Sequence, residues 1–213
     1  MRPTLISAFV CALSLASSLP AQVSGLGGTL VVTNKTPSTA TIIDVATGRN
    51  TVSQLDLGAG AFTRGWDVPA QPEAINVTPD GGEVWVGSNA TGKVSVIDVA
   101  TSAITTVADS VQWPYRVLFT PDVATAIIPD LRGETVRFLD RATKRELGRI
   151  PFAGAAPQGI TITADGRYVF QSLSAHGRVA VIDVAKRAVV GYLAAGQTPD
   201  GIAYTARTFT PRS

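Results

Sequence analysis

One cysteine, one histidine and one methionine are all that this 213-residue chain holds of those types, and only 16% of it is charged. Each scarcity removes a class of chemistry. Cys11 is the sole thiol, so no intramolecular disulfide can form, and it lies inside an apolar N-terminal run that processing is expected to remove. A mature chain without that run has no cysteine nucleophile. His176 stands alone, which leaves no histidine cluster to hold a metal, and no cofactor is expected. A net charge of +2 without any Lys/Arg run gives no footprint for nucleic acid. No window of twelve residues keeps a helical apolar stripe free of Gly or Pro. Neither a Gly-x-Ser-x-Gly elbow nor a phosphate-cradling GxxxxGK[ST] loop occurs. What remains is 45% hydrophobic residues with 20 Gly and 13 Pro, the balance of many short strands joined by turns.

The N-terminus has the form of an address. Arg2 precedes residues 5–19 (LISAFVCALSLASSL), which carry no charge, and Pro20-Ala21-Gln22 follows. A basic start, an apolar stretch too short to span a bilayer and a small-residue exit describe a secretory signal peptide over residues 1–21. Cleavage after Ala21 or after Ser18 fits, with an uncleaved anchor as the alternative. The expected location is the periplasm or the cell surface, with no membrane span once the leader is gone. Residues 22–213 then form a single domain.

Two phrases recur along that domain at one period. The first reads IIDVA, VIDVA, FLDRA and VIDVA, placing Asp44, Asp98, Asp140 and Asp183 at steps of 54, 42 and 43 residues. The second reads PEAINVTPDG from Pro72, PYRVLFTPDV from Pro114, PQGITITADG from Pro157 and PDGIAYTART from Pro199, at steps of 42, 43 and 42. In the unit from Pro72, residues 74–78 predict a first strand and Thr78-Pro79-Asp80-Gly81 a tight turn. Residues 83–88 (EVWVGS) and 93–99 (KVSVIDV) alternate as half-buried strands, and residues 103–107 predict a fourth. Four antiparallel strands every 42 residues or so predict an all-β fold, a β-propeller of four-stranded antiparallel blades. Units start near residues 28, 72, 114, 157 and 199. A β-sandwich is the alternative, but it needs no such period.

The pattern Pro-x-Gly-Ile-x-x-Thr-x-Asp-Gly, complete at Pro157, and Gly-x-Val-x-Val-Ile-Asp-Val-Ala-Thr, complete at Gly92, resemble the YVTN-type propeller repeat of YncE-like and surface-layer-like exported proteins. The resemblance runs from Thr29 to about Thr205, and the name-giving tetrapeptide survives only approximately, as LVVTN and VWVGSN. It implies the fold and is nearly silent about activity. Such propellers have about seven blades, which would need roughly 290 residues at this period. Here the count is about four. The first unit begins at a second strand (TLVVTN), while the last supplies a first strand (GIAYT) and ends in a tail unlike the repeat. Docking of GIAYT beside residues 30–34 would close a four-blade ring. The rivals are a truncated longer propeller and closure between chains; a closed ring predicts a monomer, and the other two leave room for an oligomer. About twelve extra residues within 58–71 (GAGAFTRGWDVPAQ) predict an inserted loop between the first two blades.

A carboxylate that appears once per blade serves the blade. Asp44, Asp98, Asp140 and Asp183 are expected to end strands and accept turn N–H groups, and Asp80, Asp122 and Asp165 to build the hairpins. A functional side chain should break the repeat. His176 does so, as a general base or as a plain loop residue. Arg64 and Trp66 in the insertion, and Trp113 with Tyr115 and Arg116 at a blade junction, also do; Arg132 shares the loop position of His176. Arg64, Trp66, Trp113, Arg132 and His176 are therefore the candidate ligand contacts, suited to an aromatic or anionic ligand, although both Trp residues could equally wedge between blades. No catalytic residue is assigned. The expected function is a non-catalytic binding or interaction module at the cell envelope, for a protein, envelope or small-molecule ligand. A lactonase-like or cofactor-carrying propeller enzyme, or a non-functional fragment, is the alternative.

Overall fold

The computed structural model describes residues 29–33, 40–44, 51–56 and 61–208. The leader expected over residues 1–21 lies outside them, and no described helix is long and apolar enough to cross a membrane. The described residues are all-β apart from one turn of 3-10 helix at Ser174–His176.

Three sheets of four antiparallel strands follow one another along the chain. The first comprises β5 (Pro72–Val77), β6 (Glu83–Ser88), β7 (Lys93–Asp98) and β8 (Ile104–Ala108). The second comprises β9 (Leu118–Phe119), β10 (Thr125–Asp130), β11 (Thr135–Asp140) and β12 (Glu146–Pro151). The third comprises β13 (Pro157–Ile162), β14 (Tyr168–Leu173), β15 (Arg178–Asp183) and β16 (Ala188–Ala194). Each is a meander in which neighbours in sequence are neighbours in space. Upstream lie two-stranded sheets, β1 (Thr29–Thr33) with β2 (Ala40–Asp44) and β3 (Thr51–Asp56) with β4 (Ala61–Asp67).

The sheets pack face to face because strand alternation gives every central strand two apolar faces. Along β6, Val84 and Val86 join Val52, Trp66 and Ile97 on one side, while Trp85 between them points the other way. Trp85 joins Ala74, Val94 and Val96 against Phe119, Ala126, Ile128 and Leu139 of the next sheet. It meets Phe119 edge-on at 5.7 Å, a geometry worth roughly 0.5–1.5 kcal/mol beyond its burial. Ile127, Val136 and Phe138 face the third sheet, where Val169, Leu173, Ala180 and Ile182 receive them. The cores thus lie between sheets, one per junction.

Apart from Asp44, whose side chain lies outside those described, the periodic carboxylates do what their position predicts. Thr78, Thr120 and Thr163 each donate a hydroxyl to Oδ1 of the Asp two residues on, at 2.5 Å, and that oxygen also takes the backbone N–H of Gly82, Ala124 or Arg167 at 3.0 Å. Asp98, Asp140 and Asp183 accept the N–H of Thr101, Thr143 and Lys186 at 2.7, 2.7 and 3.0 Å. These donors hold all six carboxyls below the usual range, and Asp80 falls to about 2, with the Thr78 hydroxyl as the largest cause.

Two expectations are corrected. The inserted segment is not simply a loop: Ala61–Asp67 forms β4, paired with β3 along its length. Pairing satisfies the outer edge of β3 and buries Trp66 to 6% exposure, which a free loop would not do. Nor does the GIAYT segment close a ring among the described residues. β1 pairs with β2 alone there, and residues 201–205 carry no strand. They lie against the third sheet instead, where Tyr204 stacks on Phe170 at 5.1 Å and Gly159 leaves room for the Asp200 carbonyl.

Candidate functional site

The antiparallel meander sends the β6–β7, β10–β11 and β14–β15 turns, together with the links from one sheet to the next, to one end of the sheets. At that end the positions following the repeat prolines are Glu73, Tyr115, Gln158 and Asp200, four different side chains behind a proline that repeats. Three of them converge with the residues around Trp113.

Glu73 is the hub. Its Oε2 accepts the indole N–H of Trp113 at 3.1 Å and a bond from the Asn89 side-chain amide, and its Oε1 lies 3.9 Å from Arg116. Burial pushes the Glu73 carboxyl above the usual carboxylate range, with the Asp200 charge adding to it, despite the opposing bonds from Asn89 and Trp113. Tyr115 donates its hydroxyl to Asp200 Oδ2 at 3.0 Å, and burial, reinforced by that bond, pushes the phenol up to about 12. The Arg116 guanidinium lies over the Tyr115 ring at 4.3 Å and donates to the Tyr115 carbonyl. Arg132 lies over Trp113 at 4.1 Å. Two cations on two aromatic faces therefore flank a protected carboxyl.

A buried ion pair fixes this arrangement. Asp130, fully buried at the end of β10, accepts the backbone N–H groups of Gln112 at 3.1 Å, Trp113 at 2.8 Å and Gly133 at 2.9 Å. Arg137 completes it at 3.3 Å and ties the same link through the Ser110 carbonyl at 2.6 Å. The effect reaches the backbone. The residue ahead of the repeat proline is left-handed at Gln71 (φ 55°), Ala156 (φ 51°) and Thr198 (φ 49°), but not at Trp113, whose N–H Asp130 holds. Repeat positions equivalent to Asp130 and Arg137 carry Ser88 with Ser95, and Leu173 with Ala180.

The five sequence candidates separate. Trp113 and Arg132 come together in the cluster. Trp66 is a core wedge against Val52, Val84, Val86 and Ile97. Arg64 donates to the Val99 carbonyl at 2.5 Å, at the opposite end of the sheets. His176 is exposed at the end of the 3-10 turn, 3.3 Å from Arg178, with no contact to the Glu73 group. Sequence reasoning missed Glu73, Asn89, Asp130, Arg137 and Asp200. The signal was available: Glu73 and Asp200 vary after an invariant proline, and Asp130 with Arg137 breaks the repeat at two diagonal positions of β10 and β11. No group of three or more His, Cys, Asp or Glu able to hold a metal occurs among the described residues.

No family model matches the sequence, and no curated relative matches it. Solved structures do. Hydrazine synthase of Kuenenia stuttgartiensis is similar at a TM-score of 0.61 and 25% identity, over 71% of this chain and 45% of that one. A streptogramin B lyase is similar at a TM-score of 0.59 and 15% identity, over 78% of this chain and 54% of that one. The chain thus spans about half the length of these structures. Both neighbours are propeller-type proteins, and the fold is that of a β-propeller.

Proposed function

We propose that the protein is an exported propeller of the YVTN type, a binding module that reads an anionic, preferably aromatic, ligand at the Glu73–Trp113–Arg132 end of its sheets. One observation carries the reading: side chains that break the repeat, from three separate stretches of chain, converge there and are held in place by a buried ion pair that also breaks it. A guanidinium stacked on an aromatic face keeps its in-plane N–H groups free for a carboxylate or phosphate. Arg132 lies over Trp113 in that way, whereas Arg116 over Tyr115 already spends one nitrogen on the Tyr115 carbonyl and on Glu73. The export expectation rests on the leader sequence, and the YVTN assignment on the repeat phrases.

The test is a titration of intrinsic Trp fluorescence with acetate, phosphate, benzoate and p-nitrophenyl phosphate. Saturable quenching by the aromatic anions, weakened about tenfold or more in Arg132→Ala, is expected. Quenching that Arg132→Ala leaves unchanged removes this site from the reading. Turnover of p-nitrophenyl phosphate, abolished by Glu73→Gln, would replace binding with catalysis.

A further inference from the structure

The other end of the sheets shows two junctions built on one plan and filled differently. Between the first and second four-stranded sheets, Arg141 reaches back across the junction to Glu83 Oε2 and Asp80 Oδ2, each at 3.1 Å, and Lys144 meets Glu83 Oε1 at 2.6 Å. Glu83 also takes the Trp85 indole N–H at 2.9 Å, and Lys144 lies 5.0 Å over that ring. One repeat later the pattern puts Val184 where Arg141 stands, Thr125 where Glu83 stands and Gly166 where Val123 stands. These three changes remove volume or charge, while Arg187 keeps the cation of Lys144 and Arg167 brings a cation to the place of Ala124. A cleft of about 540 Å³ opens there, lined by Pro121, Asp122, Thr125, Asp165, Gly166 and Val184 among others.

Asp122 repeats Asp80 down to its turn bonds, with Oδ1 taking Thr120 Oγ1 at 2.5 Å and the Ala124 N–H at 3.0 Å. In Asp80 the second oxygen, Oδ2, receives Arg141. In Asp122 that oxygen has no ion-pair partner among the described residues. Asp165 adds a second carboxylate to the lining. Arg167 also lines the cleft, where its charge acts on Asp165; it lies 4.8 Å over the Tyr168 ring and forms no ion pair with Asp122.

We propose that this cleft is a docking site for an arginine or lysine side chain presented by a partner polypeptide, which would occupy in trans the place that Arg141 occupies in cis one junction earlier. The molecule supplies its own template for the occupant: a guanidinium seated between the turn Asp of one sheet and the following sheet. The site is independent of the Glu73 cluster, which lies at the opposite strand ends.

The experiment follows backbone amide NMR shifts of the mature protein during titration with the peptide acetyl-Gly-Arg-Gly-amide, with its citrulline counterpart as the uncharged control. Saturable shifts confined to residues 120–124 and 165–167, absent with citrulline, are expected. Asp122→Asn keeps the turn acceptor and removes the charge, and it should weaken binding about fivefold or more. Thr125→Glu with Val184→Arg rebuilds the filled junction in cis and should abolish binding while the remaining amide spectrum stays in place. Equal shifts with citrulline, no shifts at all, or full binding by both variants would overturn the proposal. So would shifts of the same amides by inorganic phosphate in place of the peptide, since these assign the cleft to Arg167.

Discussion

Replacing Asp130 by Asn removes one charge and retains the shape, and the structure says what should follow. The carboxylate is wholly buried and takes four donors: three backbone N–H groups and the Arg137 guanidinium. An amide offers one oxygen. Its NH2 would face either the Trp113 and Gly133 N–H groups or the Gln112 N–H with the guanidinium, donor against donor. Arg137, itself only 5% exposed in its side chain, keeps Glu146 at 3.4 Å and the Ser110 carbonyl but loses its buried counter-charge. Breaking a buried pair from one side costs about 3–5 kcal/mol. Against a total stability of roughly 5–15 kcal/mol this is a large fraction, and it corresponds to a fall in Tm on the order of 10 °C for a domain of this size. Urea unfolding followed by far-UV circular dichroism gives the loss, and Trp emission reports the link holding Trp113. The double variant Asp130→Leu with Arg137→Ala copies the solution of the third sheet, Leu173 with Ala180. It should recover part of the stability, because no charge is left stranded, yet leave the Trp113 link unanchored and the ligand response lost. A loss below about 1 kcal/mol in Asp130→Asn would refute the claim that this carboxylate organises the site.

Two further outcomes follow. The six turn carboxyls held low bind fewer protons folded than unfolded, so their contribution is full above the unfolded value of about 4 and is lost as pH falls through their folded values, about 2 for Asp80. Circular dichroism at constant ionic strength should show an acid transition in that window, and equal stability at pH 2.5 and 7 would contradict it. Glu73 has the opposite sign: its carboxyl is raised, so its contribution is full below about 4.5 and lost as pH rises through the folded value. Glu73→Gln should therefore leave Tm at pH 7 unchanged or higher, and a lower Tm there would show the ionised form to be the stabilising one.

The blade plan was legible because two phrases keep one period. Glu83–Ser88 and Lys93–Asp98 fall where alternation and the TPDG and NATG turns put them, and the Asp residues occupy their turn roles. The strand at Ala61–Asp67 stands as far before Pro72 as β8, β12 and β16 stand before Pro114, Pro157 and Pro199, so the period marked it, but the extra residues after Asp44 disguised it as a loop. The closing strand failed for a different reason. GIAYT has strand letters, but Tyr204 finds Phe170 and Asp200 finds Tyr115 before any edge is reached. As for the site, periodicity marks which letters differ and does not say which differing letters meet. Glu73 and Trp113 come together only because Asp130 turns the link inward. Arg64 and His176 break the pattern just as plainly and point elsewhere.

The unequal junctions also divide the molecule mechanically. The first and second four-stranded sheets are fastened at both strand ends, by Glu73 to Trp113 at one and by Arg141 and Lys144 to Glu83 at the other, with Asn76 bonded to the Val117 carbonyl in between. Between the second sheet and the third the apolar layer of Phe138, Val169 and Ile182 with its neighbours carries the contact, and Tyr115 bonded to Asp200, which lies against Gly159, fastens one strand end. Directional fastenings resist sliding and soften in salt, whereas an apolar layer resists separation, tolerates shear and ignores salt. The first two sheets are therefore held at both strand ends and the second and third at one, and the cleft beside Val184 lies at the end of the second junction that, among the described residues, has no such fastening.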